Sequence, residues 1–152
     1  MAASDSYNEA LSAAICHIGI ATYSSGKIRA YLVNKGFPED VSSSVVQELI
    51  KREYINDHKA SRKVLISRTG KKQESKSYIF KRLLEAGISD KVADDVVSTL
   101  ADDNATCDLL FESLGYDNDS EETREAMITV ALRRGYTLEC AARAYRRWSD
   151  NL

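Results

Sequence analysis

The side chains best suited to chemistry in this sequence are a run of cations near its middle. Residues 51–82 hold eleven Lys or Arg against three acidic residues, which gives the segment a net charge of +8. Ammonium and guanidinium groups at this density bind anions, either an acidic protein surface or the phosphates of a nucleic acid. Residues 83–125 hold thirteen acidic residues against two basic ones. The total charge of −2 therefore conceals two strongly charged segments of opposite sign.

The residue types used in catalysis and metal binding do not form a recognisable pattern. His17 and His58 have no partner at metal-ligand spacing, and no two cysteines are close in sequence. Gly70-Lys71-Lys72 departs from a phosphate-binding loop, because the first glycine of that motif is missing and a lysine stands where Ser or Thr is required. The aspartate pairs at 94–95 and 102–103 would point to different sides of a helix. We therefore expect no enzyme and no metal site.

The elements that must position the cations are helices in a repeating order. Gly36, Gly87 and Gly135 align, and each has an apolar residue eight positions before it and another directly after it. Glycine tolerates the left-handed conformation that ends a helix, and the apolar residue after it packs back on the last turn. The three copies are 51 and 48 residues apart, which leaves room for a third helix between successive pairs. A period of this length indicates a helical array.

The predicted fold is all-α, a tandem array of three three-helix repeats with an elongated shape. The predicted modules span residues 1–56, 57–103 and 104–152. A single proline and the lack of alternating apolar and polar runs leave little room for a sheet. The alternative architecture is a single compact helical bundle.

Cysteine usage and the N-terminal segment favour a cytoplasmic protein. The three cysteines are odd in number and far apart, and Cys16 and Cys107 lie next to or on apolar helical stripes. We expect buried reduced thiols there rather than a disulfide framework. The N-terminus has no signal-peptide pattern, and His17 interrupts the longest apolar stretch, so we expect no membrane span.

Capping residues predict where several helices begin and end. We expect the first helix to run from near Ser6 to Tyr23. The expected caps are Ser24 or Ser25 for the second helix, Asn56 or Asp57 for the fourth, residues 102–104 for the seventh, Asp119 for the eighth and Thr137 for the last.

Several short motifs, taken in their order and spacing, resemble the RecX family of bacterial regulators of the RecA recombinase. The residues that carry this likeness are Tyr54-Ile55-Asn56-Asp57, Arg68, Ile79 to Leu83, Ala86-Gly87-Ile88-Ser89, Arg134-Gly135-Tyr136 with Trp148, and Tyr23-Ser24 with Leu32 and Gly36. The likeness covers the chain from about Leu11 to Trp148. The acidic segment after Leu83 departs from the family, whose modules are commonly basic, and Ala21-Thr22 stands where a basic residue is usual.

The resemblance implies a monomeric helical array that binds along the groove of a RecA filament on single-stranded DNA. Its action would be to inhibit RecA, by limiting extension of the filament or promoting its disassembly. The resemblance implies no cofactor and no membrane, and contact with single-stranded DNA would be indirect or weak.

We expect the partner to contact a band of eight basic side chains: Arg62, Lys63, Arg68, Lys71, Lys72, Lys76, Lys81 and Arg82. Two of these have a structural alternative, because Arg82 could pair with Glu85 and Arg68 could interact with a helix C-terminus. For the whole band, the alternative is that the basic and acidic segments face each other inside the molecule or are solvated.

Two other functions fit the same features. A helix-turn-helix protein would insert a helix into a nucleic-acid groove, but the helix after Gly87 carries Asp90, Asp94 and Asp95, which phosphates repel. An all-α scaffold would bind some other protein through the acidic segment, without specificity for RecA.

Overall fold

The computed structural model describes residues 3–152, and these residues form nine α-helices and one short 3₁₀ helix, with no strand. The helices are α1 (Ala3–Ile18), α2 (Ser25–Asn34), α3 (Glu39–Lys51), α4 (Asp57–Ser67), α5 (Lys76–Glu85), α6 (Asp90–Ser98), α7 (Asp103–Ser113), α8 (Glu121–Arg133) and α9 (Leu138–Asp150), and the 3₁₀ helix is Gly70–Lys72. The predicted all-α class is confirmed. No helix in the described part of the chain has the combined length and apolarity that crossing a membrane requires.

A pair of helices joined by a glycine turn occurs three times along the chain. Gly36, Gly87 and Gly135 join α2 to α3, α5 to α6 and α8 to α9, with φ angles of +99°, +84° and +90°. The residue after each glycine donates its amide to the carbonyl five residues back, at 3.2, 3.0 and 3.1 Å. These bonds form a Schellman motif, in which a left-handed glycine closes the helix C-terminus.

Several helices are capped at the N-terminus by the side chain of the residue that directly precedes the helix. Ser24, Asp102 and Thr137 each accept a hydrogen bond from the amide three residues on. The expected cap at Asp119 is wrong. Ser120 directly precedes α8, and its hydroxyl accepts the amide hydrogen bond of Thr123 at 3.2 Å.

The first helix differs from the prediction at both ends. It spans Ala3–Ile18, because Gly19 takes a left-handed φ of +52° and ends the helix before Tyr23. The buried stripe of α1 is formed by Ala10, Ala14 and Ile18, spaced four residues apart.

Cys16 lies off this stripe and is exposed, so the expectation that it is buried is wrong. Residues two positions apart on a helix point to widely different sides, and Cys16 is two positions from both Ala14 and Ile18. Cys107 is buried as predicted, and the described cysteines are all free thiols.

The chain forms two compact units. We call residues up to Lys63 together with Leu83–Asp94 the N-terminal unit, and Val64–Arg82 together with Asp95–Leu152 the C-terminal unit. The core of the N-terminal unit is built from α1, α2 and α3, with Ile28, Leu32, Val45 and Leu49 fully buried. The predicted module boundaries after residues 56 and 103 stay a prediction.

The core of the C-terminal unit is built from α7, α8 and α9. Leu110, Phe111 and Met127 are fully buried there. The Tyr136 and Thr106 hydroxyls form a buried hydrogen bond of 2.8 Å, which satisfies both polar groups inside the apolar core.

Candidate partner-binding surface

The eight predicted contact residues divide between the two units. Arg62 and Lys63 belong to the N-terminal unit, where both are exposed on α4. The C-terminal unit contains the other six, which are Arg68, Lys71, Lys72, Lys76, Lys81 and Arg82.

In the C-terminal unit the lysines of residues 64–82 are fully or partly exposed to solvent. Lys71, Lys72 and Lys81 are exposed and Lys76 is half-buried. Among the residues that the structure describes, none of these four ammonium groups has a carboxylate within 4.0 Å. Their charge is not neutralised by an ion pair, so it is available to an anionic partner. We refer to Lys71, Lys72, Lys76 and Lys81 as the lysine surface.

A tight turn displays Lys71 and Lys72. Gly70 has a φ of +61°, which favours glycine, and it opens the 3₁₀ helix. The turn is closed by hydrogen bonds from the Lys72 amide to the Thr69 carbonyl and from the Gln73 amide to the Gly70 carbonyl, each 3.1 Å long. The 3₁₀ helix that carries the two lysines packs against α7.

The two arginines of this segment make a different contact from its lysines. Glu74 is buried, with a side chain only 1% exposed, and its carboxylate lies 3.4 Å from Arg68 Nε and 3.3 Å from Arg82 Nη2. Arg82 Nε also donates to Glu74 Oε1 at 3.3 Å. A buried carboxylate requires charged partners of this kind, because desolvation disfavours an isolated ion. Arg68 and Arg82 therefore have a structural partner within their own unit.

The first turn of α5 is fixed by three hydrogen bonds within the C-terminal unit. The Lys76 amide donates to Asp103 Oδ1 at 2.9 Å, and the Ser75 amide donates to the Arg134 carbonyl at 3.0 Å. Ser75 also caps the helix by accepting from the Tyr78 amide at 3.3 Å. The backbone that carries the lysine surface is thereby joined to α7 and to the glycine turn after α8.

Asp57 holds two helix N-termini in the N-terminal unit. Its carboxylate accepts hydrogen bonds from the Ser25 amide at 2.7 Å, the Ser25 hydroxyl at 2.6 Å and the Ser89 amide at 2.9 Å. The cap of α4 is instead Asn56, which accepts from the Lys59 amide at 3.1 Å. A carboxylate at two helix N-termini interacts favourably with both helix dipoles. Asp57 is therefore an architectural residue of this unit.

A glycine pair brings two backbones together beside Asp57. The Gly26 amide donates to the Gly87 carbonyl at 2.8 Å, and the Ser24 hydroxyl donates to the Ala86 carbonyl at 2.7 Å. A Cβ at Gly26 would lie 2.7 Å from that Gly87 oxygen. This approach requires glycine at both positions.

A groove of about 970 Å³ lies in the N-terminal unit next to this glycine pair. Its lining includes the apolar side chains of Val46, Ile50 and Leu84, together with Asp57. The Asp57 oxygens already accept three hydrogen bonds, so this carboxylate holds helix N-termini within the unit. Within residues 3–152, no group of three or more His, Cys, Asp or Glu side chains is arranged to hold a metal ion.

Sequence reasoning missed Glu74, Asp57 and Gly26. Glu74 could have been found as the one acidic residue between Lys59 and Arg82. Asp57 belongs to the motif that carries the resemblance and is a possible cap, but its contacts were not predicted, because its partners lie 32 residues away on either side. No local pattern points to contacts of that sequence separation.

No protein-family model matches the sequence, and no curated protein matches it significantly. Among solved structures, the fold is similar to the crystal structure of RecX from Lactobacillus salivarius, with a TM-score of 0.74. The two chains are 19% identical, and the match covers 98% of this chain and 99% of the RecX chain. The chain therefore has a RecX-like fold along nearly its whole length.

Proposed function

We propose that this protein is a RecX-type regulator of RecA, which binds along the groove of the RecA filament on single-stranded DNA and inhibits it. Inhibition would act by limiting filament extension or by promoting disassembly, and it would place the protein in cytoplasmic homologous recombination and DNA repair. The observation that carries this proposal is the fold likeness to RecX over 98% of this chain and 99% of the other.

The residues that carry the sequence resemblance also support the proposal. Asn56 caps α4, Asp57 holds the N-termini of α2 and α6, and Gly87 makes the close backbone approach to Gly26. Arg68 contacts the buried Glu74. These motif residues are the ones that the fold needs at its helix ends, so the motif and the architecture agree.

Binding would rest on those predicted contact residues that have no carboxylate within 4.0 Å in the described part of the chain. These are Arg62 and Lys63 in the N-terminal unit and the lysine surface in the C-terminal unit. Many weak ionic contacts add up along a polymer, since each bound segment raises the effective concentration of the next. An acidic protein surface in the filament groove is the proposed primary partner, and contact with the DNA is secondary.

The test is RecA ATP hydrolysis on single-stranded DNA, with the purified protein added before or after filament assembly. Wild-type protein is expected to lower the rate. A K71E/K72E/K81E variant reverses three exposed charges of the lysine surface and should need about tenfold more protein for the same inhibition. Its matched control is K27E/K51E/K91E, which changes the net charge equally at exposed lysines of the N-terminal unit.

Two results would contradict the proposal. Wild-type protein that leaves RecA turnover unchanged at saturating concentration would remove RecA as the partner. Equal loss of inhibition in both triple variants would remove the lysine surface and leave only a general effect of charge. Tight, steeply salt-dependent binding to bare duplex without RecA would favour the helix-turn-helix reading instead.

A further inference from the structure

The turn that displays Lys71 and Lys72 is bracketed by one buried ion cluster. Glu74 follows the turn directly, Arg68 precedes it, and Arg82 lies two helical turns further along α5. The carboxylate lies within 3.4 Å of both guanidinium groups. The cluster therefore joins the end of α4 to the body of α5 and closes the segment between them.

The chemistry of the three groups makes this closure specific. Arg68 and Arg82 are only 28% and 37% exposed at their side chains, and Glu74 is almost completely buried. Glu74 is the buried group that both guanidinium groups contact, so removing it removes the contact that joins the two ends of the segment. Arg82 presents a planar fork to this carboxylate, with Nε donating to Oε1 and Nη2 donating to Oε2 at 3.3 Å each, and a lysine does not reproduce that geometry. Arg68 Nε lies at ion-pair distance from Glu74 but donates no hydrogen bond.

We propose that Glu74 is a positioning residue for the partner-binding function. It holds Arg68 and Arg82 so that the turn presents Lys71 and Lys72 outward in one fixed arrangement. The two arginines then act through Glu74 and not by touching the partner. This inference rests on the proposed function, since it assigns the lysines of the turn to partner binding.

The opposite assignment makes an opposite prediction. If Arg68 and Arg82 contacted the partner themselves, removing Glu74 would make their surface more positive and strengthen binding. If they position the turn, removing Glu74 weakens binding, although the surface becomes more positive. The direction of the change in E74A therefore separates the two roles.

The first measurement is local and needs no partner. Trypsin cleavage after Lys71 and Lys72 is followed by mass spectrometry in wild type, E74A and E74Q. Opening of the turn should raise the cleavage rate at these two bonds by about tenfold in E74A, because cleavage follows the population of the open form. The matched control is E139A, which removes an exposed carboxylate paired with Arg143 in the same unit and should leave this rate unchanged.

The second measurement is a double-mutant comparison of RecA inhibition. E74A should raise the half-inhibitory concentration about as much as K71A/K72A does, and adding E74A to K71A/K72A should cause little further loss. A merely structural role would give additive losses, because destabilisation would act on every contact. Additive losses, stronger inhibition by E74A, or unchanged cleavage at the turn would each overturn the proposal.

Two substitutions keep the test decisive if E74A does not fold. E74Q retains one acceptor oxygen for the arginines, and R82K retains the charge at residue 82 without the guanidinium fork. Both should increase cleavage at the turn by a smaller factor, and unchanged cleavage in both would overturn the proposal. If wild-type protein fails to inhibit RecA, the proposed function is wrong, and the cleavage assay still shows whether Glu74 holds the turn.

Discussion

The carboxylate of Asp57 makes several polar contacts that no local sequence pattern indicates. It accepts two backbone amides and one hydroxyl, and its side chain is buried. Truncation in D57A leaves the amides of Ser25 and Ser89 without their acceptor at two helix N-termini. We expect D57A to lower the free energy of unfolding by about 3 kcal/mol, since bonds to a charged group contribute about 1.5 to 3 kcal/mol each and are not additive. Urea denaturation measures this change.

Two variants control the Asp57 prediction. D57N keeps one acceptor oxygen and should lose about half as much stability as D57A. D94A removes an exposed aspartate of α6 and should change stability by no more than about 0.5 kcal/mol. Equal midpoints and slopes for D57A and D94A would show that the Asp57 bonds do not stabilise the unit.

The buried thiol of Cys107 makes stability depend on pH in the alkaline range. Burial raises the pKa of Cys107 from 9.0 to about 12. Above pH 9 the unfolded chain loses this proton while the folded chain keeps it, so the free energy of unfolding falls as pH rises. Between pH 8 and pH 10 the loss from this thiol should be about 1.4 kcal/mol. Urea denaturation across this range measures it.

C107A is the control for the thiol prediction. Burial also raises the pKa of Cys140 and of Tyr136, so some pH dependence remains when Cys107 is removed. The slope of stability against pH should therefore be shallower in C107A than in wild type. Identical slopes would exclude Cys107 as a source of the pH dependence.

At the residue scale, the sequence predicts those side chains that act on their own helix. Ser24, Asp102 and Thr137 cap helices through an amide three residues away, so residue type and position suffice. Glu74 and Asp57 contact groups 6 to 32 residues away. Their burial depends on how helices meet, and periodicity does not report which charged residue enters the interior.

At the element scale, two glycine turns have the same backbone motif but different neighbouring atoms. Gly36 and Gly87 both have a left-handed φ in equivalent Schellman motifs of the N-terminal unit. A Cβ at Gly36 would meet nothing within 4 Å. A Cβ at Gly87 would collide with the Ser24 hydroxyl and lie 2.9 Å from the Lys27 amide nitrogen. The first turn of α2 leaves no room for it.

This pair allows conformational strain and steric overlap to be measured separately. G36A should cost about 1 to 2 kcal/mol of unfolding free energy, the cost of a left-handed alanine. G87A carries the same strain and adds an overlap with backbone, for a total of about 3 kcal/mol or more. Denaturant unfolding of both variants gives the difference. Equal losses would show that the backbones of α2 and the Gly87 turn separate easily.

Helix order was predictable because it depends on spacing, whereas several helix ends were not. The alignment of Gly36, Gly87 and Gly135 predicts the repeated helix pairs, and each glycine turn lies at the expected place. The end of α1 was missed because Gly19 ends the helix while apolar residues continue beyond it. The 3₁₀ helix at Gly70–Lys72 was missed as well, since a turn of three residues leaves no periodic pattern.

At the scale of the whole molecule, charge is distributed by segment and not by total. Residues 51–82 carry +8, residues 83–125 carry −11, and the full chain carries only −2. The total charge alone predicts weak electrostatic attraction to a charged partner. The charges of the two segments predict a strong one. The fold could be anticipated from repeats, but the division of α4, α5 and α6 between two compact units depends on packing that repeats do not encode.

Salt dependence is the measurement that distinguishes segment charge from total charge. If the proposed function holds, affinity for the RecA filament should fall about tenfold between about 50 mM and about 200 mM salt, because mobile ions screen contacts between the lysine surface and an acidic partner. K27E/K51E/K91E should show nearly the same dependence as wild type. K71E/K72E/K81E has the same total charge as that control but should show a flatter dependence. If the two variants respond to salt alike, total charge governs association, and the lysine surface has no specific part in it.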